Sequence, residues 1–485
     1  MNTNYNANTE NPAKADKNSM EPSAPNFRNV PRRILSSLLS SVAAGVVPRI
    51  GAPYIAIGRS DEIGALLSDL ETLNEGGSAL RFLIGRYGSG KSFLIQLIRG
   101  YALERNFVTV DADLSPERRL YGSNGSGVAT YKELIRNMAT KASPEGGALS
   151  KMILRWINEI RTDLRIQFPD ISEEEFSRKI SAQIYSVLRD LEDFVGGFDF
   201  ANVVIAYYHA YLSDAEEKKS ACLRWLRGEF ATKTEARQAL GIPVSCIIDD
   251  DNWYDFMKLW AALVRKIGYR GLVMFVDECV NLYKISHRIS RENNYEKILS
   301  MFNDSLQGRA PGLAIVFGGT PQFLEDTRRG LFSYEALRSR LCDSPFSSEE
   351  YKNLIGPVIR LRRLSDEELF ALIVRITGLY ADYYHWEPNL SNEDMLAFLQ
   401  NCLARAGADT MITPREMLRD YMTVLNILMQ NPKADLQKIL GEMPNSEETP
   451  TEDGKESSEE PQSTAGQAFN GRKKLTEEEL KILEF

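Results

Sequence analysis

The sequence predicts an α/β fold in which a parallel sheet carries a phosphate-binding loop (P-loop), interrupted by a long helical insertion and followed by a C-terminal helical lid. Three observations predict it. A complete G-x-x-x-x-G-K-[ST] motif spans residues 85–92. Several continuous apolar runs end in polar residues, which is typical of strands that are buried on both faces. Residues 130–268 and 364–440 show helical periodicity almost throughout.

The glycine-rich motif lies between an apolar run, Leu80–Ile84, and a helix-like segment, Phe93–Arg99. In this context its glycines turn backbone N–H groups toward phosphate oxygens, and the following helix adds the positive end of its dipole. Lys91 is predicted to reach the β- and γ-phosphates of ATP, and Ser92 to ligate Mg²⁺. The alternative is a glycine-rich turn without a ligand. The predicted nucleotide-binding residues here are Gly85, Arg86, Tyr87, Gly88, Ser89, Gly90, Lys91, Ser92 and Phe93.

Length and composition are those of a soluble protein with two or three domains. The chain has 485 residues, of which 43% are hydrophobic and 26% charged. Its apolar runs are shorter than the roughly 20 residues of a membrane span, so we expect no membrane association and a cytoplasmic location. Five scattered cysteines predict neither disulfides nor a zinc site. A net charge of −9 argues against a protein that coats nucleic acid.

Composition and periodicity predict seven segments. These are a disordered tail (1–30), the first part of the core with the phosphate loop (31–129), the helical insertion (130–268), the second part of the core (269–363), the lid (364–440), an acidic disordered linker (441–470) and a short amphipathic helix (471–485). The last helix is open to two interpretations: it docks onto a partner, or it is a frayed tail helix.

Within these segments, apolar runs predict the strands and 3.6-residue periodicity predicts the helices. Beyond Leu80–Ile84, the predicted strands are Phe107–Val110, Gly271–Val276, Gly312–Phe317 and Val358–Leu361. The predicted helices before the lid are Arg32–Val46, Asp61–Leu73, Tyr131–Thr140, Gly147–Phe168, Glu173–Val195, Phe200–Leu212, Glu216–Leu226 and Trp253–Ile267.

Two adjacent acids follow the strand Gly271–Val276. After a phosphate loop, this pattern supplies the second half of an ATP-hydrolysing site. Asp277 is predicted to hold the Mg²⁺ shell, and Glu278 to polarise the attacking water. Alternatively, the two carboxylates merely stabilise the dipole of a following helix.

Thr320 follows the next strand and is predicted to be a polar sensor beside the γ-phosphate, although it could simply cap a helix that begins at Pro321. Farther on, Arg340, or as second choice Arg338, is placed to reach the γ-phosphate of a neighbouring subunit. Ordinary solvated or paired arginines are the alternative.

In the lid segment, Thr413 suits a helix N-cap and Pro414 the first helical position. Arg415 would then project from the first turn, where it is predicted to contact the nucleotide as a second sensor. The alternative is a surface arginine without a ligand.

This order of elements resembles the AAA+ class of P-loop ATPases. Over residues 32–430 the sequence also resembles the BrxC/BrxD-type ATP-binding proteins of BREX and related phage-defence islands. The segments that carry the resemblance are 85–92, 111–122, 277–283, 303–308, 318–326, 328–340 and 412–415. One departure is Gln322, where the family usually has Glu after Thr-Pro.

The resemblance implies a Mg²⁺-dependent ATPase that acts as switch or motor with other defence-system proteins. It leaves open whether the protein forms a homo-oligomer. It leaves DNA open as a partner that is contacted indirectly or without sequence specificity. The alternative function is a nucleotide-dependent scaffold with little turnover; an unaided helicase is less favoured because no aromatic and basic motif for single strands is evident. Basic groups considered for DNA contact are Arg28, Arg32, Arg33, Arg49, Arg328, Arg329, Arg360, Arg362 and Arg363.

Overall fold

A computed structural model describes residues 30–122, 124–191, 193–343, 353–405 and 413–441. The tail predicted at 1–30, except for Val30, lies outside the described residues. So do the acidic linker, except for Gly441, and the terminal amphipathic helix. Within the described part, no helix is long and apolar enough to span a lipid bilayer.

Five parallel strands form one sheet in the order β2-β3-β4-β1-β5. Their bounds are β1 Ala79–Gly85, β2 Val108–Asp113, β3 Leu272–Asp277, β4 Leu313–Gly319 and β5 Val358–Leu361. Every residue of β3 and β4 is buried, as the unbroken apolar runs require. The predicted α/β fold with a parallel sheet is therefore confirmed.

Eighteen α-helices accompany the sheet in the described part of the chain. They are α1 Arg32–Ala43, α2 Ser60–Asn74, α3 Lys91–Glu104, α4 Ser126–Arg136, α5 Leu149–Gln167, α6 Glu173–Arg189, α7 Gly197–Leu212, α8 Glu216–Leu226, α9 Lys233–Leu240, α10 Trp253–Lys266, α11 Val280–Tyr283, α12 Arg288–Leu306, α13 Pro321–Glu325, α14 Glu335–Leu341, α15 Asp366–Tyr384, α16 Asn392–Arg405, α17 Pro414–Gln430 and α18 Leu436–Gly441.

Helices α9 and α12 are among those that were not predicted. Helix α9 has only eight residues, too few for a clear periodic signal. Helix α12 buries polar side chains, among them Arg291, Asn294 and Asp304, so its buried face does not follow an apolar stripe. The helix predicted at Tyr131–Thr140 instead begins at Ser126 and ends at Arg136. Its predicted end pairs with the sheet edge, since Ala139 bridges Thr109 of β2.

The two faces of the sheet bury two different sets of helices. Because side chains alternate along a strand, Phe82 of β1 packs into one hydrophobic cluster and its neighbour Leu83 into another. On the Phe82 face, α4, α10 and α12 contact the strands, and α5–α9 share the same continuous core. The Leu83 face is covered by α2 and α3. The helical block at 130–268 is thus packed directly onto the sheet.

A third cluster joins the first helix to the C-terminal helices. Leu38 and Leu39 of α1 are buried together with Ile373 of α15 and Tyr421 of α17. Although the sequence partition placed α1 with residues 31–129, its apolar face packs against α15 and α17. Helices α1 and α15–α18 therefore form a C-terminal helical unit, a name kept below.

A buried chain of hydrogen bonds connects helices α4, α8 and α10. Trp260 Nε1 donates to the Tyr131 hydroxyl at 2.9 Å, and that hydroxyl donates to the carbonyl of Leu226 at 2.8 Å. Tyr131 and Trp260 are both fully buried. Tyr254 is also buried, but its hydroxyl has no hydrogen-bond partner among the described residues.

Tyr131→Phe should lower the free energy of unfolding by about 1–3 kcal/mol, because it leaves a buried indole N–H and a buried carbonyl without partners. The matched control is Tyr254→Phe, which removes a buried hydroxyl that bonds to nothing. It should leave stability unchanged or raise it slightly. Urea unfolding of both variants measures the difference, and equal losses in the two would contradict the assignment.

Candidate nucleotide-binding site

The phosphate loop joins β1 to α3. Strand β1 ends at Gly85, helix α3 begins at Lys91, and Gly88 and Gly90 have positive φ angles of 75° and 86°. These left-handed turns let the loop curl over the start of α3, which favours bound anions there. The segment thus has the strand, turn and helix that a phosphate site requires.

Lys91 lies between the loop and the acids of β3. Its Nζ donates to the carbonyls of Gly85 at 2.9 Å and Arg86 at 3.1 Å. Burial lowers the pKa of Lys91, while the charges of Asp277 and Glu278 oppose that shift. The ammonium group is therefore held where negative charges surround it.

Ser92 and Asp277 are in direct contact although they are far apart in the sequence. The Ser92 hydroxyl donates to Asp277 Oδ2 at 2.7 Å, and the Asp277 residue is only 8% exposed. A side chain at Gly318 of β4 would place its Cβ 2.2 Å from Asp277 Oδ1, so the carboxylate lies against the bare backbone of the neighbouring strand. Because Gly318 has no side chain, it leaves the space that the Asp277 carboxylate occupies.

Glu278 has an unusual backbone. Its φ of 56° is in the left-handed region, which costs a non-glycine residue about 1 kcal/mol or more. Two bonds hold the turn: the Glu278 N–H donates to Asp277 Oδ1 at 2.8 Å, and the Cys279 N–H to the Gly318 carbonyl at 3.0 Å. Such strain at a polar residue that lines a cavity supports a functional role for Glu278.

Thr320 has features of both interpretations made from the sequence. Its side chain caps α13 by accepting a hydrogen bond from the Phe323 N–H at 3.3 Å. The same residue lines the cavity that contains Lys91 and Asp277. Because the Oγ1 atom acts as acceptor toward Phe323, its own proton is available for a ligand in the cavity.

These residues surround a cavity of about 530 Å³, a size suited to a nucleotide. The phosphate-loop residues that line it are Tyr87, Gly88, Ser89, Gly90, Lys91, Ser92 and Phe93, whereas Gly85 and Arg86 do not. Lys284, just after α11, also lines the cavity and was not predicted from the sequence. It is exposed and has no ion pair among the described residues.

The cavity has an apolar end that the sequence did not reveal. It lies between the segment after α1 and the C-terminal helices, and is lined by Val42, Val46, Val47, Pro48, Ile55, Ile57, Leu364, Leu372 and Leu418. In the sequence, most of these residues look like ordinary apolar core residues of helices or turns. Only the packing of α1 against α15 and α17 brings them together.

Arg415 also lies at this cavity. Thr413 and Glu416 form a complete capping box at the start of α17, which directs the first turn of that helix toward the phosphate loop. The contact is close: a Cβ at Gly88 would lie 2.7 Å from Thr413 Cγ2. Arg415 is exposed in the cavity wall, and the ion pairs of the described part of the chain do not include it.

The two arginines of α14 lie elsewhere. Neither Arg338 nor Arg340 lines this chain's cavity, and both are exposed. Arg340 Nη1 donates to the Ala336 carbonyl at 2.6 Å, and Arg338 is 3.7 Å from Glu335. Neither arginine therefore contacts this cavity in its own chain.

Several basic groups considered for DNA contact have acidic partners. Arg49 is 3.8 Å from Glu145, Arg360 pairs with Glu325 and Asp343, and Arg362 pairs with Glu368. Arg28 lies outside the described residues. The pairing reduces the positive charge that these groups present to a phosphate backbone.

The donor set suits Mg²⁺ bound together with phosphates. In the described part of the chain, no cluster of three or more His, Cys, Asp or Glu side chains forms a protein-only metal site. Mg²⁺ usually takes one or two protein oxygens and completes its shell with phosphates and water. Ser92 and Asp277, 2.7 Å apart at the phosphate loop, fit that requirement.

Comparison with protein families identifies a match over most of the chain. The model of the family described as BREX system ATP-binding protein BrxC/D matches residues 30–443. The chain belongs to this family. No curated protein shows significant similarity to it. The match confirms the resemblance of the sequence to BrxC/BrxD-type proteins, and with it ATP binding and membership of a multi-protein BREX defence system.

In this BrxC/D protein, a third carboxylate lies beside the predicted acids. Asp113, at the end of β2, is in register with Asp277 of β3. Although the Asp113 residue is exposed, partial loss of hydration raises its pKa to about 6, and the charges of Asp277, Asp111 and Glu278 raise it as well. Keeping the Asp113 carboxylate ionised in the folded protein therefore lowers the free energy of unfolding.

Asp113→Asn should therefore stabilise the protein at pH 8 by roughly 1 kcal/mol, a value reduced by solvent screening. Above pH 6 the carboxylate is ionised in both states, and the folded state carries the penalty. The gain should decrease as pH falls below about 6 and vanish below the ordinary pKa of 3.8, where both states bind the proton. Urea unfolding in EDTA at pH 8 and pH 4 measures it; an equal gain at both values would contradict the cause.

Proposed function

We propose that this BrxC/D protein is a Mg²⁺-dependent ATPase of the AAA+ type, which acts as a switch or motor in a multi-protein, DNA-associated phage-defence system. The observation that carries the proposal is the 2.7 Å hydrogen bond between Ser92 and Asp277. It joins the phosphate loop to the acid-bearing strand at one point, as metal-assisted phosphoryl transfer requires.

In this proposal the loop and Lys91 bind the triphosphate. N–H groups of the loop would donate hydrogen bonds to the phosphate oxygens, which the dipole of α3 also attracts. The Lys91 ammonium would exchange its carbonyl partners for the β- and γ-phosphate oxygens. Ser92 and Asp277 would hold Mg²⁺, which supplies charge that offsets that of the phosphates.

Glu278 is proposed as the residue that activates water. Its carboxylate follows Asp277 directly, and its left-handed backbone fixes the direction of the side chain. It would accept a proton from the attacking water, while the Thr320 hydroxyl donates to the γ-phosphate. The position of Thr320 at the end of β4, next to β1 in the sheet, supports that role.

The apolar end of the cavity is proposed to bind the adenine ring. Its walls come from the segment after α1 and from the C-terminal helical unit, so a bound base would contact both. Arg415 would contact the phosphates from the same unit. We therefore propose that α15–α18 act as the lid, which closes over the nucleotide and reopens after hydrolysis.

Glu278→Gln should keep ATP binding but lower turnover by about 10²–10⁴-fold, because the amide cannot accept the proton of the attacking water. Lys91→Ala should instead lose ATP binding. The matched control is Glu296→Gln, an exposed glutamate on α12, which should leave both unchanged. Phosphate release and equilibrium binding measure the two effects. Wild-type turnover no faster than that of Glu278→Gln would reject the ATPase and favour the nucleotide-dependent scaffold.

Arg340 is proposed to complete the site of a neighbouring subunit, since it lies outside its own cavity. Arg340→Ala should lower turnover by about 10³-fold, and mixing it with Glu278→Gln should restore part of the activity, because mixed assemblies contain one intact composite site. Arg338→Ala, on the same helix, is the matched control. Full activity of Arg340→Ala would remove the shared site, and loss in Arg338→Ala alone would transfer the role to Arg338.

A further inference from the structure

A buried arginine connects the phosphate loop to the start of the C-terminal helices. Arg59 directly precedes α2 and is only 4% exposed. Its Nη2 donates to the carbonyl of Ser89 at 2.8 Å and to the carbonyl of Arg362 at 2.5 Å. Glu62, which is also buried, lies 3.8 Å from Nη1. Because a buried charge is costly without partners, these bonds fix the guanidinium in one place.

The carbonyls of Ser89 and Arg362 belong to two different parts of the fold. Ser89 is part of the phosphate loop, between two glycines whose positive φ angles shape it. Arg362 follows β5 directly, and α15 begins four residues later at Asp366. This short connection links the last strand of the sheet to the C-terminal helices. One side-chain nitrogen thus bonds to the loop that binds phosphate and to the connection about which those helices would move.

The same connection is tied to the first turn of α15. The Arg362 side chain donates to both carboxylate oxygens of Glu368, which also completes the capping box with Ser365. Glu368 in turn lies against the backbone beside Arg59, since a Cβ at Gly58 would be 2.1 Å from its Oε1. Gly58, Arg59, Arg362 and Glu368 therefore form a continuous contact from the loop to α15.

A second arginine shows what a purely structural role looks like. Arg99 is also 4% exposed, and it donates to Asp111 at 3.1 Å and to the Pro144 carbonyl at 2.6 Å. Its partners lie on β2 and in the segment between α4 and α5, and it bonds to neither the phosphate loop nor the C-terminal helices. Arg59 differs from it in what its two bonds connect, and it also lines the nucleotide cavity, which Arg99 does not.

We propose that Arg59 is a positioning residue that couples the phosphate loop to the C-terminal helices. Phosphate binding draws the peptide at Ser89 into a new position, and Arg59 transmits this movement through the Arg362 carbonyl to the connection before α15. A coupling of this kind needs one element that both sites displace, and the shared guanidinium is that element. The inference rests on nucleotide binding at the phosphate loop, as proposed above.

The test is hydrogen exchange of the full chain with and without Mg²⁺ and a non-hydrolysable ATP analogue. In the wild type, the nucleotide should slow exchange in residues 86–92 and in residues 362–372, the latter by about fivefold or more. Arg59→Lys retains the charge, but its shorter ammonium-bearing chain cannot reach both carbonyls. It should keep the protection of 86–92 and lose that of 362–372. The matched control, Arg99→Lys, should keep both.

Protection of 362–372 that persists in Arg59→Lys would overturn the coupling, as would its loss in Arg99→Lys to the same extent. If Arg59→Lys does not fold, Glu368→Gln takes its place; it weakens the contact at α15, and unchanged protection there would overturn the coupling. A wild type that binds the analogue without protecting 362–372 rejects the coupling alone. A wild type that does not bind it rejects the proposed function and the coupling together.

Discussion

The parallel pairing of β1, β3 and β4 is the constraint on which the site depends. Parallel strands end at the same edge of a sheet, so Gly85, Asp277 and Gly319 are brought together from three distant parts of the sequence. The Ser92–Asp277 bond forms because the loop after β1 and the acids after β3 share that edge. Without this pairing, the loop would be an isolated anion site with no acid to hold a metal or activate water.

At this edge of the sheet, the Asp277 side chain lies so close to β4 that it restricts the neighbouring residues. The Asp277 carboxylate lies against the backbone of β4, where only glycine leaves space, and its two oxygens accept from Ser92 and from the Glu278 N–H. The turn that satisfies these bonds forces Glu278 into the left-handed region. The strain is local, and it is held in place by two fully buried strands, β3, which precedes Glu278, and its neighbour β4.

The second half of the cavity belongs to a different packing unit. Helix α1 and the C-terminal helices share a hydrophobic cluster that is separate from the two clusters of the sheet. The cavity lies where this unit meets the phosphate loop, with Thr413 against Gly88 and with Arg59 bonded to the loop and to the connection before α15. A ligand that fills the cavity touches both units, so its binding energy can change how they are arranged.

The sequence alone determined the local chemistry: the phosphate loop, the five strands and the acids after β3, because each is a short pattern whose residues are adjacent in the chain. Only the tertiary structure decided which distant residues meet. The apolar end of the cavity, Lys284, the position of Asp113 beside Asp277 and the two carbonyls bound by Arg59 depend on contacts between separate segments. Apolar and buried polar side chains look alike in a sequence whether they fill a core or line a cavity, and packing is what separates the two.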